Sequence, residues 1–200
     1  MSTNSVIAVP HGDGWRGRHV QWDGDPPCVG KNLFEIVQRD GVDVARRTLL
    51  KDHYGWSVLH SDQPDISKTR TNAADRKLYR DAPWDLRKKY GNHHPKVIKL
   101  GWDDSGQFVN VPGYGVAYTS CVLNHIRPGY TQSKETDWWD QHDTGDFVEW
   151  AYILADNGLW VLKGHHTEDF EHLATVAWDE DSTRLTAIYE AWAYPEGVPA

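Results

Sequence analysis

The chain has 200 residues, a net charge of -8 at pH 7, 39% hydrophobic and 25% charged residues, and a mean hydropathy of -0.68. That length is enough for one domain with its own core, and the composition excludes a disordered chain; no segment approaches the roughly 18 apolar residues of a membrane span. The acidic balance argues against nucleic acid as a partner, because binding phosphate backbones needs a basic footprint.

In chain order, Val6 to Val9 reads as a short buried strand and His11-Gly-Asp-Gly14 as a turn. A second strand from Trp15 to Trp22 completes a hairpin. Asp23-Gly24 and Pro26-Pro27 form a stiff turn, and Gly30 opens an amphipathic run with Val29, Leu33, Ile36 and Val37 on one side. This helix is predicted over about 29–39, breaks at Asp40-Gly41 and resumes from Val42 to Leu50, where Asp43 is placed to cap it. Residues 61–95 read as a polar excursion with short helices, rich in Lys and Arg toward its end. Val97 to Leu100 and Gln107 to Val111 are predicted to form a small hairpin, and Tyr114 to Ser120 another strand. Phe147 to Ala155 and Leu159 to Lys163 flank the turn Asp156-Asn-Gly158, the clearest hairpin signal in the chain. Ser182 is placed as the N-cap of a last helix carrying Leu185, Ile188, Tyr189 and Trp192 at helical spacing, ended by Pro195. Hairpins outnumber strand-helix-strand units, so the expected fold is a single α+β domain with a largely antiparallel sheet and several packed helices.

Cys28 and Cys121 have no framework spacing, and the first nine residues lack the charged start and long apolar run of a signal peptide. A reducing, cytoplasmic setting is expected, the host cytoplasm if the chain is phage-encoded.

Thr3, Val6, Ile7, Val20, Trp22, Asp23, Gly24, Pro26, Val29, Gly30 and Leu33 carry a resemblance. Over its first fifty residues the chain resembles a set of uncharacterised bacterial, fungal and bacteriophage proteins that begin with a Thr-Arg strand and continue to a Trp-Asp-Gly-Tyr-Pro turn. Tyr114 to Tyr118 and the hairpin containing Glu149, Trp150, Ala151, Tyr152 and Trp160 look like later elements of that family. The resemblance implies a shared fold and no particular activity. Two positions depart from it: Asn4 stands where the Arg is usual, and Asp25 where the Tyr is. The wealth of Trp and His with an acidic balance also resembles actinobacteriophage sequence.

The hairpin-to-helix junction is the leading candidate site. Arg16 and Arg18 share one strand face and His19 and Gln21 the other, because strand side chains alternate. Gly30 and Lys31 would bring helix N-terminal amides near Asp23, a place for a phosphate or carboxylate. Arg16, Arg18, His19, Asp23, Gly30 and Lys31 are therefore the expected ligand-binding set; alternatively, the turn residues serve only the turn and both arginines face water. The pairs His93-His94 and His165-His166 invite a metal, but no ligand spacing supports one, so neither metal nor cofactor is expected. Trp138-Trp139 stands in an acidic stretch where two adjacent indoles are hard to bury together. At least one is expected to meet a partner or a second copy in a homodimer, unless the loop folds back on itself.

Two functional classes follow. The chain is expected to be a binding or regulatory accessory protein for a small anionic ligand or a protein partner. The alternative is a hydrolase of a nucleotide or amide, metal-dependent or using Ser2 or Thr3 as an N-terminal nucleophile; Cys28 before a helix start is a further candidate nucleophile.

Overall fold

In the computed structural model, residues 3–61, 108–118, 138–140, 148–164 and 170–196 are described. The first hairpin pairs β1 (Ser5–His11) with β2 (Gly14–Val20) in antiparallel register, Ile7 opposite Arg18, closed by Gly12 at φ +57°. A π-helical turn (Pro26–Gly30) leads into α1 (Lys31–Asp40), then α2 (Val42–Arg46) and a second π-helical turn (Arg47–Lys51). The chain returns to the sheet as β3 (Trp56–Leu59), parallel to β2. The remaining strands are β4 (Phe108–Val111), β5 (Gly115–Tyr118), β6 (Trp139–Asp140), β7 (Trp150–Ala155), β8 (Gly158–Gly164) and β9 (Phe170–Val176), followed by α3 (Thr183–Ala193).

Eight strands run in the order β4-β5-β3-β2-β1-β7-β8-β9, and β6 pairs with β2 off this path. The class is α+β, with a correction: the sheet is mixed, because β1 runs parallel to β7 and β2 parallel to β3. The helices are few, three among the described residues. The parallel pair forms because Val6, Ile7 and Ala8 are wholly buried and need a partner strand buried on both faces, which Ala151, Tyr152 and Ile153 supply.

Helices cover one face of the sheet. Leu33, Phe34, Ile36 and Val37 of α1 and Leu185 of α3 pack with Ile7, Val20, Trp56, Trp150, Tyr152 and Leu154. The far face carries Val6, Ala8, Trp15, Trp139, Ala151, Ile153 and Leu162. Strand alternation thus divides each central strand between two cores.

Several boundaries differ from the expected ones for local reasons. Ser182 makes no capping bond; the Asp181 carboxylate accepts from the Thr183 amide instead, at 2.8 Å. Asp43 lies inside the first turn of α2, and Gly41 at φ +83° is the cap residue. β4 pairs with β5, and the expected partner segment 97–100 lies outside the described residues. The polar excursion past Ser61, the basic stretch 68–99, both histidine pairs, Ser2 and Cys121 lie outside the described residues.

Candidate functional site

The second π-helical turn ends with carbonyls that have no partner within the helix, and side chains from the sheet supply donors. The Trp56 indole donates to the Leu49 carbonyl at 2.9 Å, and Arg18 Nε to that of Leu50 at 2.9 Å. A cation at a helix C-terminus is also favoured by the aligned peptide dipoles. Arg18 is consequently buried, 1% exposed, and its guanidinium lies 4.0 Å from the centre of the Trp138 ring. Arg16, two residues earlier on the same strand face, is exposed and reaches the same ring at 4.8 Å.

Above this stack is an open cleft of about 830 Å³, at the ends of the parallel strands β1 and β7. Val9 and Pro10, near the end of β1, line it, Ala155 closes β7, and the Asp156-Asn157 turn leads to Trp160 on β8, whose side chain packs against the far-face core. The opposite wall is Arg46, Arg47, Leu50 and Lys51, with Asp43 beside them. Arg46 is committed to structure: its guanidinium donates to the Leu154 carbonyl at 3.0 and 2.6 Å and pairs with Asp156 at 2.7 Å. Arg47 and Lys51 lie one turn apart, both exposed, and no carboxylate among the described residues pairs with them or with Arg16. Trp160 is half-buried, its indole N–H donating to Asn157 Oδ1 at 3.1 Å and its ring edge-on to His172 at 6.1 Å.

The expected junction residues do not converge. Arg16 lines the cleft and Arg18 supports it. His19 points to the far face, where it stacks on Trp139 at 4.9 Å and burial pulls its pKa down to about 4. Asp23 is exposed at φ +56°, its carbonyl accepting from the Val29 amide at 3.2 Å. Gly30 is buried, and a Cβ there would meet the Tyr152 ring at 3.0 Å. Lys31 pairs with Glu35 at 3.8 Å, and its amide bonds back to the Cys28 and Pro26 carbonyls. The amides of Cys28 and Gly30 are likewise taken, by Asp25. The preceding π-helical turn therefore consumes the amide donors that an isolated helix start would offer an anion.

Trp138 and Trp139 separate as well. Trp138 is half-buried over the helix-side core, and Trp139 is 5% exposed on the far face.

Other reactive groups are set for structure. Burial, and then the neighbouring Asp25 carboxylate, push the Cys28 thiol up to about 12, the reverse of what a helix start would do. Lys163 is nearly buried between the rings of Trp150 and Trp192, at 5.1 and 4.8 Å, with Glu149 at 3.7 Å; desolvation lowers its pKa. Among the described residues no three His, Cys, Asp or Glu side chains gather into a metal-binding group, and no helix is long and apolar enough to cross a membrane.

Arg46, Arg47, Lys51 and Trp160 were not singled out from the sequence as site residues. The readable signal was Arg46-Arg47 followed by Lys51 at the end of an amphipathic run, a basic cluster in an acidic chain. No family model, curated protein or solved structure matches the chain.

Proposed function

We propose that this protein is a binding module for a small anionic ligand, held in the cleft at the ends of β1 and β7, and that it acts as an accessory protein of bacterial or bacteriophage origin. The observation that carries the reading is the trio Arg16, Arg47 and Lys51, three cations with no pairing carboxylate among the described residues, gathered in one concavity of a chain whose net charge is -8. The two carboxylates of the cleft, Asp43 and Asp156, pair with Arg46, so Arg16, Arg47 and Lys51 repel one another, and an anion in the cleft relieves that repulsion. Guanidinium groups suit phosphate and carboxylate because their parallel N–H donors match two oxygens at once. Arg18 and Trp138 contribute by fixing the floor: the buried guanidinium ties the π-helical turn to β2, and the indole holds Arg16 over the opening.

Calorimetric titration with inorganic pyrophosphate tests this. Saturable binding is expected in the original protein, with affinity falling at least about tenfold when Arg47 and Lys51 are both changed to Ala, since two charge-assisted contacts are removed. Absence of saturable binding of pyrophosphate, orthophosphate and small carboxylates, in a protein whose circular dichroism is native, would sink the reading.

A further inference from the structure

The three cations of the cleft that lack a carboxylate partner among the described residues fall into two groups. Arg47 and Lys51 flank Leu50 on the π-helical turn, one turn apart and exposed. Arg16 stands on β2, two residues before Arg18, whose Nε donates to the Leu50 carbonyl at 2.9 Å. One strand repeat, about 7 Å, therefore separates the Arg16 backbone from the point where β2 meets the turn. The ring of Trp138, 4.0 Å from the Arg18 guanidinium and 4.8 Å from that of Arg16, holds Arg16 on the same side of the sheet as the turn. One tetrahedral anion seated between Arg47 and Lys51 would leave Arg16 without a counter-charge.

Resting on the anion-binding reading above, we infer that the ligand presents a diphosphate group, with one phosphoryl on Arg47 and Lys51 and the other on Arg16. Charge and reach both favour it. A terminal diphosphate carries about three negative charges near neutral pH, because its last proton leaves near pH 6, and three cations face it. Orthophosphate or a dicarboxylate brings about two at most. The anhydride oxygen joins two phosphoryl groups whose outer oxygens point away from each other, so each can meet the cations on its own side. Arg16 and Arg47 can each take two oxygens through parallel N–H donors, and Lys51 adds a point charge beside Arg47. The apolar part of the lining, Val9, Pro10 and Ala155, is left for whatever the diphosphate is attached to, in a cleft of about 830 Å³.

The test compares pyrophosphate, methyl diphosphate, orthophosphate and citrate by calorimetry on the full chain at about pH 8. Pyrophosphate is expected to bind at least about tenfold more tightly than orthophosphate, and than citrate, which carries similar charge on a different skeleton. Arg16→Ala should cut the ratio of pyrophosphate to orthophosphate affinity at least about fivefold, whereas changing Arg47 and Lys51 together to Ala should weaken both anions. All three side chains are exposed, so these variants keep the fold. Methyl diphosphate binding as well as pyrophosphate would assign the group to an ester, and its failure beside pyrophosphate binding to the free anion; either sustains the inference. Equal affinity for pyrophosphate and orthophosphate, or a ratio unchanged in Arg16→Ala, would overturn the diphosphate inference while leaving the anion site standing. Citrate binding as tightly as pyrophosphate overturns it too, in favour of a polycarboxylate. No saturable binding of any of the four by the natively folded protein removes both readings.

Discussion

Trp138 and Trp139 are adjacent in the chain and lie on opposite sides of the sheet. β6 pairs with β2 through only Trp139 and Asp140, opposite Gly17 and Arg16, and this short pairing turns one indole under the arginines and the other against His19. The pairing settles how two neighbouring tryptophans are both accommodated: each joins a different core.

The two indoles should therefore behave differently when truncated. Trp139→Ala removes a ring that is 5% exposed and should cost about 3–5 kcal/mol. Trp138→Ala should cost about 1–2 kcal/mol, chiefly the lost cation–π contacts, while weakening pyrophosphate binding by freeing Arg16. Urea denaturation of both variants checks this; equal losses would contradict the division.

Arg16 and Arg18 should separate binding from stability. Arg18→Ala leaves the Leu50 carbonyl without its donor, at a cost of about 2–3 kcal/mol. Arg16→Ala, on an exposed side chain, should change stability by no more than about 0.5 kcal/mol and reduce anion affinity. Paired thermal melts and titrations read both quantities.

His19 should make the fold sensitive to mild acid. Its folded pKa is about 4, below the ordinary 6.5, so the folded protein holds the ring neutral while the unfolded chain takes up a proton. Its contribution is fully present above pH 6.5 and is lost as pH falls from 6.5 toward 4, reaching about 3 kcal/mol. His19→Gln should flatten that part of the stability profile. Identical pH profiles for the two proteins would refute the assignment.

Gly17 and Gly30 should differ in severity. A Cβ at Gly30 meets the Tyr152 ring at 3.0 Å and a Leu185 methyl at 3.4 Å, so Gly30→Ala should cost about 1–3 kcal/mol as those side chains shift. At Gly17 the obstacle is the Ile7 carbonyl of the neighbouring strand, which cannot move without breaking the β1–β2 ladder, and Gly17→Ala should prevent folding. Soluble expression and melting temperature distinguish the two.

Cys28 should be inert. With its thiol pushed to about 12 from 9.0, the thiolate fraction near pH 8 falls by about 1,000-fold. In a Cys121→Ser background, reaction with a disulfide reagent should be slow in the folded protein and become fast in urea. Rapid labelling of the folded protein would show that the thiol is neither buried nor held protonated.

What was legible in the sequence is what covalent geometry imposes over a few residues. Period-two alternation put Arg16 and Arg18 on one face and His19 and Gln21 on the other, and the structure keeps that division: the arginines meet Trp138, His19 meets Trp139, and Gln21 accepts from the Tyr118 hydroxyl. The spacing of Leu33, Ile36 and Val37 marked the buried side of α1, and Asp156-Asn157 marked the β7–β8 turn. β3 and β9 went unread because four buried residues, Trp56 to Leu59, have no alternation to show, and β9 runs at a sheet edge with Glu171 and His172 exposed after Phe170. Only tertiary structure decided that β1 lies beside β7, across more than a hundred residues of chain, and it is this parallel pair that makes the cleft. The same long-range packing brought Arg47 and Lys51 to the cleft beside Arg16, because which strand satisfies a buried edge depends on the whole core and not on local spacing.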